Sequence, residues 1–241
     1  MDNVLVNGLQ ITWLGHSTML FESPQGKRLI IDPWIAGNPK CPEPYKSEGV
    51  GKLDYILITH GHYDHIGDAV ATAKASGALT VSVFETNAWL NKKGVDNTAP
   101  MNKGGTLALD GSRIKVTMVH ADHSCGITDD DGSIIYGGEP CGYIVEFENG
   151  YRVYHAGDTA VFGDMALIAL LYKPDLCCLP IGDRFVMSPR EAAHAIGLLG
   201  ARRIIPMHFG TFPLLTGTPE ELQQMISGVN LLTLEPGETL S

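Results

Sequence analysis

A chain of 241 residues with 44 % hydrophobic content has enough apolar material to bury the core of one large α/β domain. Its formal charge of −10 argues against nucleic acid as a partner, because affinity for a polyanion comes largely from Lys and Arg displacing condensed counterions. No apolar run approaches the roughly 20 residues of a membrane span, and Met1-Asp2-Asn3 lacks the basic start and apolar core of a signal peptide, so the expected location is the cytoplasm.

No composition shift marks a linker, and a single domain from Met1 to Ser241 is expected. The first strands are expected at Ile11 to Leu20 and Arg28 to Ile31. From Trp34 to Lys52, Pro39, Pro42 and Pro44 with several glycines and no clear periodicity predict a long ordered loop. Loops of this length are often lids or binding loops, so Trp34, Ile35 and Tyr45 are candidates for walling a substrate pocket. Packing away from the site, or a dimer contact, is the alternative.

A strand is next expected at Tyr55 to Thr59, a helix at Asp68 to Ala75, a strand at Leu79 to Phe84 and a helix at Glu85 to Lys93. Strands follow at Arg113 to Val119, Tyr143 to Glu148 and Tyr151 to His155, the last two joined by the hairpin signal Asn149-Gly150. A helix at Gly163 to Tyr172 precedes strands at Leu176 to Pro180, Arg203 to Met207 and Leu231 to Leu234. Capping boxes with proline at the first helical position announce two more helices, at Ser188-Pro189-Arg190-Glu191 and Thr218-Pro219-Glu220-Glu221.

The five cysteines, an odd number that includes adjacent Cys177 and Cys178, make a disulfide framework unexpected and fit a reducing compartment. They read as small core hydrophobes, with Cys125 and Cys141 close to candidate site loops.

The run Thr59-His60-Gly61-His62-Tyr63-Asp64-His65 carries the chemistry, because four side chains that bind metal ions follow directly on the apolar stretch Tyr55-Ile56-Leu57-Ile58. Neutral imidazole and carboxylate suit borderline and hard divalent ions such as Zn, Mn or Fe. In an extended backbone residues two apart point the same way. His60 and His62 can therefore grip one ion while Asp64 and His65, after a turn, reach a second. A histidine-rich surface loop is the bland alternative. Three further candidates follow strand-like segments and weigh against it: His123, Asp158 and His208.

In order and chemistry this set resembles the metallo-β-lactamase superfamily over nearly the whole chain. Trp13-Leu14-Gly15-His16-Ser17, Ile31-Asp32-Pro33, Gly37-Asn38-Pro39, Met101-Asn102-Lys103-Gly104-Gly105-Thr106, Pro180-Ile181-Gly182 and Pro206-Met207-His208 are most similar to a branch of small, single-domain metal-dependent hydrolases. That branch is in turn similar to ascorbate-phosphate lactonase-like and N-acyl-phosphatidylethanolamine phospholipase-like enzymes. The resemblance implies a four-layer αββα sandwich with ligands on loops at one edge of the sheets. It implies two divalent ions, zinc first, with manganese or iron also fitting. His60, His62 and His123 would hold the first ion, Asp64, His65 and His208 the second, and Asp158 would bridge them. His120 competes with His123 for the third motif.

Two such ions bring a shared water near neutrality and polarise the bond being broken, so the implied activity is attack by a metal-bridging hydroxide on a small ester, lactone or phosphodiester. Asp64 is expected to orient the water. His16 is a candidate for substrate contact or proton donation, with a structural hydrogen-bonding role as the alternative. Asp183, Arg184, His155 and Trp34 are candidates for substrate contact or for supporting the ligands from behind. His194, off the apolar stripe of its helix, is expected in solvent.

Two other readings stand beside the hydrolase. A mononuclear iron oxygenase of the same superfamily would take up oxygen, and a non-catalytic binding module would be expected to lack some ligands. The expected partner is a small-molecule substrate, with a homo-oligomer, most simply a dimer, a mild expectation from the family.

Overall fold

The computed structural model describes residues 8–241, and the chain forms two compact units. The first takes the chain up to Lys103, then Ser124–Pro140 and Glu235–Ser241; the second takes Gly104–His123 and Cys141–Leu234.

The first unit is built on a seven-stranded sheet in the spatial order Thr239–Leu240, Gln10–Trp13, Met19–Glu22, Arg28–Ile31, Tyr55–Leu57, Leu79–Val83, Thr98–Met101. Pairing is antiparallel as far as Arg28–Ile31 and parallel beyond it. Parallel neighbours need a crossover, which the segment 32–54 provides for the first pair and the helices Ala69–Ser76 and Phe84–Lys92 for the other two. Sequence and position agree here, since Tyr55, Ile56 and Leu57 are apolar without alternation and all are buried. Leu14, Leu20, Ile30, Ile56, Ile58 and Leu90 share one core cluster.

The apolar run Ile11 to Leu20 is two strands and not one. Gly15 and His16 take left-handed φ angles of 91° and 56° and turn the chain, and the Leu14 N–H donates to the Thr18 carbonyl at 2.9 Å to close the hairpin. The expected loop from Trp34 to Lys52 contains a one-turn helix, Glu43–Ser47, in which Pro44 stands in the first turn, where its missing N–H costs nothing. A two-stranded hairpin, Gly126–Thr128 with Ile134–Tyr136, also belongs to this unit.

The second unit repeats the plan with a sheet in the order Asn230–Leu231, Arg203–Met207, Leu176–Pro180, Arg152–His155, Cys141–Glu146, Lys115–His120, Thr106–Ala108. The Asn149-Gly150 turn joins its strands as expected: Gly150 has φ 82°, and the Phe147 N–H donates to Tyr151 at 2.9 Å. Its helices are Met165–Tyr172, Pro189–Leu199 and Pro219–Met225. Ser188 makes a complete capping box with Glu191, and Thr218 accepts from the Glu221 N–H at 3.2 Å. Tyr154, Cys177, Leu179, Ala192, Ile196 and Leu222 lie in its core cluster. The strand expected at Leu231 to Leu234 is confined to Asn230–Leu231. Among the described residues no helix is long and apolar enough to cross a membrane.

Candidate metal centre

In the first unit the loops after two parallel strands carry the donors. Asp32 follows Arg28–Ile31, and Thr59 to His65 follow Tyr55–Leu57. Asp32 is completely buried at φ 52° and organises the second loop. One of its oxygens accepts from the Thr59 N–H at 2.8 Å; the other accepts from the Thr59 hydroxyl at 2.6 Å and stands 2.8 Å from Nδ1 of His65. A carboxylate without solvent needs this many partners to be retained as a charge. Thr59 in turn places its hydroxyl 3.0 Å from Nδ1 of His60.

These contacts decide which ring nitrogens face a metal. Nε2 of His60 and Nδ1 of His62 face one another at 3.0 Å, and Nε2 of His62 lies 3.2 Å from the Ser124 hydroxyl. Two nitrogens bound to one tetrahedral zinc at about 2.0–2.1 Å would lie roughly 3.3 Å apart, so the spacing and the all-nitrogen chemistry fit a shared divalent ion. With Nδ1 of His65 engaged by Asp32, a metal would take its Nε2. A one-turn helix, Tyr63–Ile66, turns Asp64 and His65 away from the preceding pair.

His16 is fully buried, and its Nε2 lies 3.0 Å from Oδ2 of Asp64. Its left-handed backbone is held by the Trp13 indole donating to the His16 carbonyl at 2.9 Å and by the Asn38 amide donating to the Gly15 carbonyl at 3.2 Å. Thr18 donates to the Asp32 carbonyl at 2.7 Å. The tracts around His16, Asp32 and Asn38, distant in sequence, thus form one interlocked support behind the histidine loop. Trp34 is buried with its ring edge-on to His16 at 5.1 Å and to Tyr63 at 5.8 Å. Ile35 and Tyr45 line a different cavity, of about 550 Å³, that includes none of the loop histidines.

Cys125 is a support of the same loop. Its sulfur accepts from the Gly61 N–H at 3.2 Å and donates to the Gly137 carbonyl at 3.2 Å, and burial pushes the thiol pKa up so that it stays protonated. A side chain at position 61 would meet Ile127 at 2.5 Å, which leaves glycine as the residue that fits. All five cysteines are free and buried.

In the second unit, Asp158 follows Arg152–His155, His208 follows Arg203–Met207 and His123 follows Lys115–His120. Oδ2 of Asp158 lies 3.0 Å from Nε2 of His208 and 3.8 Å from Nε2 of His123. Asp158 and His208 are each 2 % exposed. The Asp122 N–H donates to the Thr159 hydroxyl and the Ala160 N–H to the Asp122 carbonyl, both at 2.9 Å, which ties the His123 loop to the Asp158 loop. His155 is buried with Nδ1 accepting from the Gly157 N–H at 3.2 Å. Two imidazoles turned toward one buried carboxylate are again a donor set suited to a divalent ion.

The structure separates His123 from its competitor. His120 is exposed at the strand end, edge-on to Phe162 at 4.8 Å, whereas His123 faces Asp158. His194 is exposed on its helix, as expected. Asp183 and Arg184 are exposed with left-handed φ angles of 66° and 55°, and the Asp183 carboxylate accepts from the Arg184 N–H at 2.7 Å. Sequence reasoning missed the parts played by Asp32, Thr59, Ser124 and Asn38. The available signal was the placement of Asp32 directly after the apolar run Leu29-Ile30-Ile31, where a carboxylate is buried only with partners.

Residues 27–209 match the Beta-lactamase superfamily domain. A UPF0173 metal-dependent hydrolase of Koribacter versatilis is 54 % identical over 236 residues, which cover 98 % of this chain and 99 % of that protein. Among solved structures, Igni18, a metallo hydrolase of the archaeon Ignicoccus hospitalis, is similar at a TM-score of 0.85 and 35 % identity, with 96 % of this chain and 97 % of that one covered. The metallo-beta-lactamase fold protein YhfI of Bacillus subtilis matches at a TM-score of 0.72 and 14 % identity over 97 % and 99 % of the two chains, a likeness of fold alone.

Proposed function

The chain belongs to the metallo-β-lactamase superfamily, with its α/β fold and alongside metal-dependent hydrolases, and on that premise we propose that it is a dinuclear hydrolase of a small ester, lactone or phosphodiester. His60, His62 and His123 are assigned to the first ion, Asp64, His65 and His208 to the second, and Asp158 to both. Zinc suits this nitrogen and oxygen set best, with manganese or iron as alternatives. Bound there, divalent ions supply an acidified water as nucleophile and polarise the carbonyl or phosphoryl oxygen under attack.

The observation that carries the proposal is the orientation of the loop imidazoles by protein partners, Thr59 on His60 and Asp32 on His65. Nitrogens held this way before any ligand binds are preorganised, so little ordering cost is left for the metal to meet. Asp64 orients the attacking water. His16, buried behind Asp64, acts through that carboxylate as a positioning residue. Asp183, Arg184, His155 and Trp34 are assigned lesser parts: the first two at the solvent side, where substrate arrives, the other two behind the ligands.

The test is elemental analysis of protein purified at neutral pH without added metal or chelator, followed by hydrolysis assays on lactones, carboxylic esters and phosphodiesters. About two zinc or manganese ions per chain, with hydrolysis lost in His62→Ala and Asp158→Ala proteins of unchanged circular dichroism, is the expected result. Hydrolysis that survives in a metal-free variant would sink the proposal. A single iron would favour the oxygenase instead, with oxygen uptake as its assay.

A further inference from the structure

We propose that a cavity beside the metal-binding loop, inside the first unit, is a subsite for an organic anion: a carboxylate or phosphate carried on a flat apolar body. Its volume is about 440 Å³, inside the range of roughly 300–1,000 Å³ typical of small-molecule sites. The proposal rests on the hydrolase reading and names the part of the substrate remote from the bond that is cleaved.

Two helices build the walls in the same way. Val70 and Lys74 are four residues apart on Ala69–Ser76, and Trp89 and Lys93 are four apart at the end of Phe84–Lys92, so each helix presents an apolar body with a lysine one turn further on. Tyr63, next to His62, and Thr128 from the hairpin also line it, as does Asp130, whose carboxylate is paired with Lys93.

The two lysines differ in what they can still do. Lys93 is committed: it pairs with Asp129 and, at 2.9 Å, with Asp130, and its ammonium lies 5.5 Å from the Trp89 ring centre. The indole N–H of Trp89 donates to Asp129 at 3.4 Å, so this cluster of one lysine and two aspartates fixes the hairpin turn over the cavity and takes up the Lys93 charge there. Lys74 lines the same cavity, exposed and with no acidic partner among the described residues. Lys74 and Lys93 set against Asp129 and Asp130 sum to zero, and because both carboxylates are engaged by Lys93, the Lys74 ammonium is the charge left for an incoming anion, beside two aromatic rings of which Tyr63 is 59 % exposed. A compact ammonium takes a carboxylate or phosphate as a point charge, and the Thr128 hydroxyl can donate to the same group. The apolar body then lies on Trp89 and Val70. The Gly61 backbone, between His60 and His62, also lines the cavity, so an occupant touches the loop that carries the metal donors.

The experiment is a tryptophan-fluorescence titration with 2-naphthoate, 2-naphthyl phosphate and neutral 2-naphthol, on metal-loaded wild type, Lys74→Glu and Lys74→Arg, and on His62→Ala as purified. Both anions are expected to bind more tightly than the alcohol. Lys74→Glu should raise their Kd at least tenfold, Lys74→Arg should restore binding, and His62→Ala should change it little. A Lys74→Glu protein that titrates like wild type, anions that do not bind at millimolar concentration, or binding abolished by His62→Ala, which would place the anion on the metals, would each overturn the subsite. Absence of hydrolysis with binding intact would count against the hydrolase and leave the subsite standing, so the two failures are distinguishable.

Discussion

The carboxylate of Asp32 stands 2.8 Å from Nδ1 of His65, and neither side chain has any exposure to solvent. The pair fixes the ring and makes the far nitrogen a better donor, an effect whose loss typically costs 10- to 100-fold in metal affinity. Asp32→Asn keeps the shape but turns one of two acceptors into a donor facing His65 or Thr59. A metal Kd weakened by about that range is expected, measured by competition with a chromophoric chelator. An unchanged Kd would remove Asp32 from the role.

His16 is expected to work through Asp64, to which its Nε2 is bonded at 3.0 Å. His16→Ala should lower kcat at least tenfold with metal content intact, while His16→Gln, which retains a donor, should recover most of it. If glutamine proves as poor as alanine and the pH profile loses a limb, the imidazole is itself moving a proton.

Gly182 is a lever on His208 inside the second unit. A methyl group there would land on the carbonyl oxygen of His208, which follows Arg203–Met207 and is itself left-handed at φ 55°. Backbone must shift, so Gly182→Ala should cost about 1–3 kcal/mol of stability in a urea titration and weaken metal binding with it. Normal metal binding in a destabilised protein would separate the two effects.

Glu146 offers a pH test away from the centre. The hydrogen bond from Arg152 at 2.7 Å holds its carboxyl below the ordinary value, with burial opposing. A carboxylate depressed in the folded state stabilises fully above its unfolded pKa of about 4.3, and that contribution is lost as pH falls through the folded value. Glu146→Gln should therefore be less stable than wild type at pH 7 by about 0.2–1 kcal/mol, with the gap closing toward pH 3. A gap that is the same at both pH values would contradict the assignment.

The sequence made the donors legible and left their supports hidden. His60 to His65 announce themselves by residue type and spacing, and Ser188 and Thr218 by capping chemistry; each of these signals is local. Asp32 joins residues 27 and 33 positions away, and Asn38 reaches back to Gly15, pairings for which no periodicity exists. The short strands Thr98–Met101 and Thr106–Ala108 were missed because they are sheet edges, one of them carrying Pro100, where apolar alternation is weakest. The hairpin of Gly126–Thr128 and Ile134–Tyr136 was missed for a related reason, since Ile134 and Tyr136 are exposed while Ile135 packs on the core.

The pairing of Ile11 with Leu240 has a consequence for biosynthesis. The strand Thr239–Leu240 completes a sheet begun by Gln10–Trp13, and the intervening chain enters and leaves the second unit twice. On the ribosome, Gln10–Trp13 can pair early with Met19–Glu22, but its other side stays an open template until the distant strand Thr239–Leu240 is made. Neither unit is a contiguous stretch of gene, so neither can be expressed by simple truncation, and a chain cut before Thr239 leaves the first sheet open rather than merely trimming a tail.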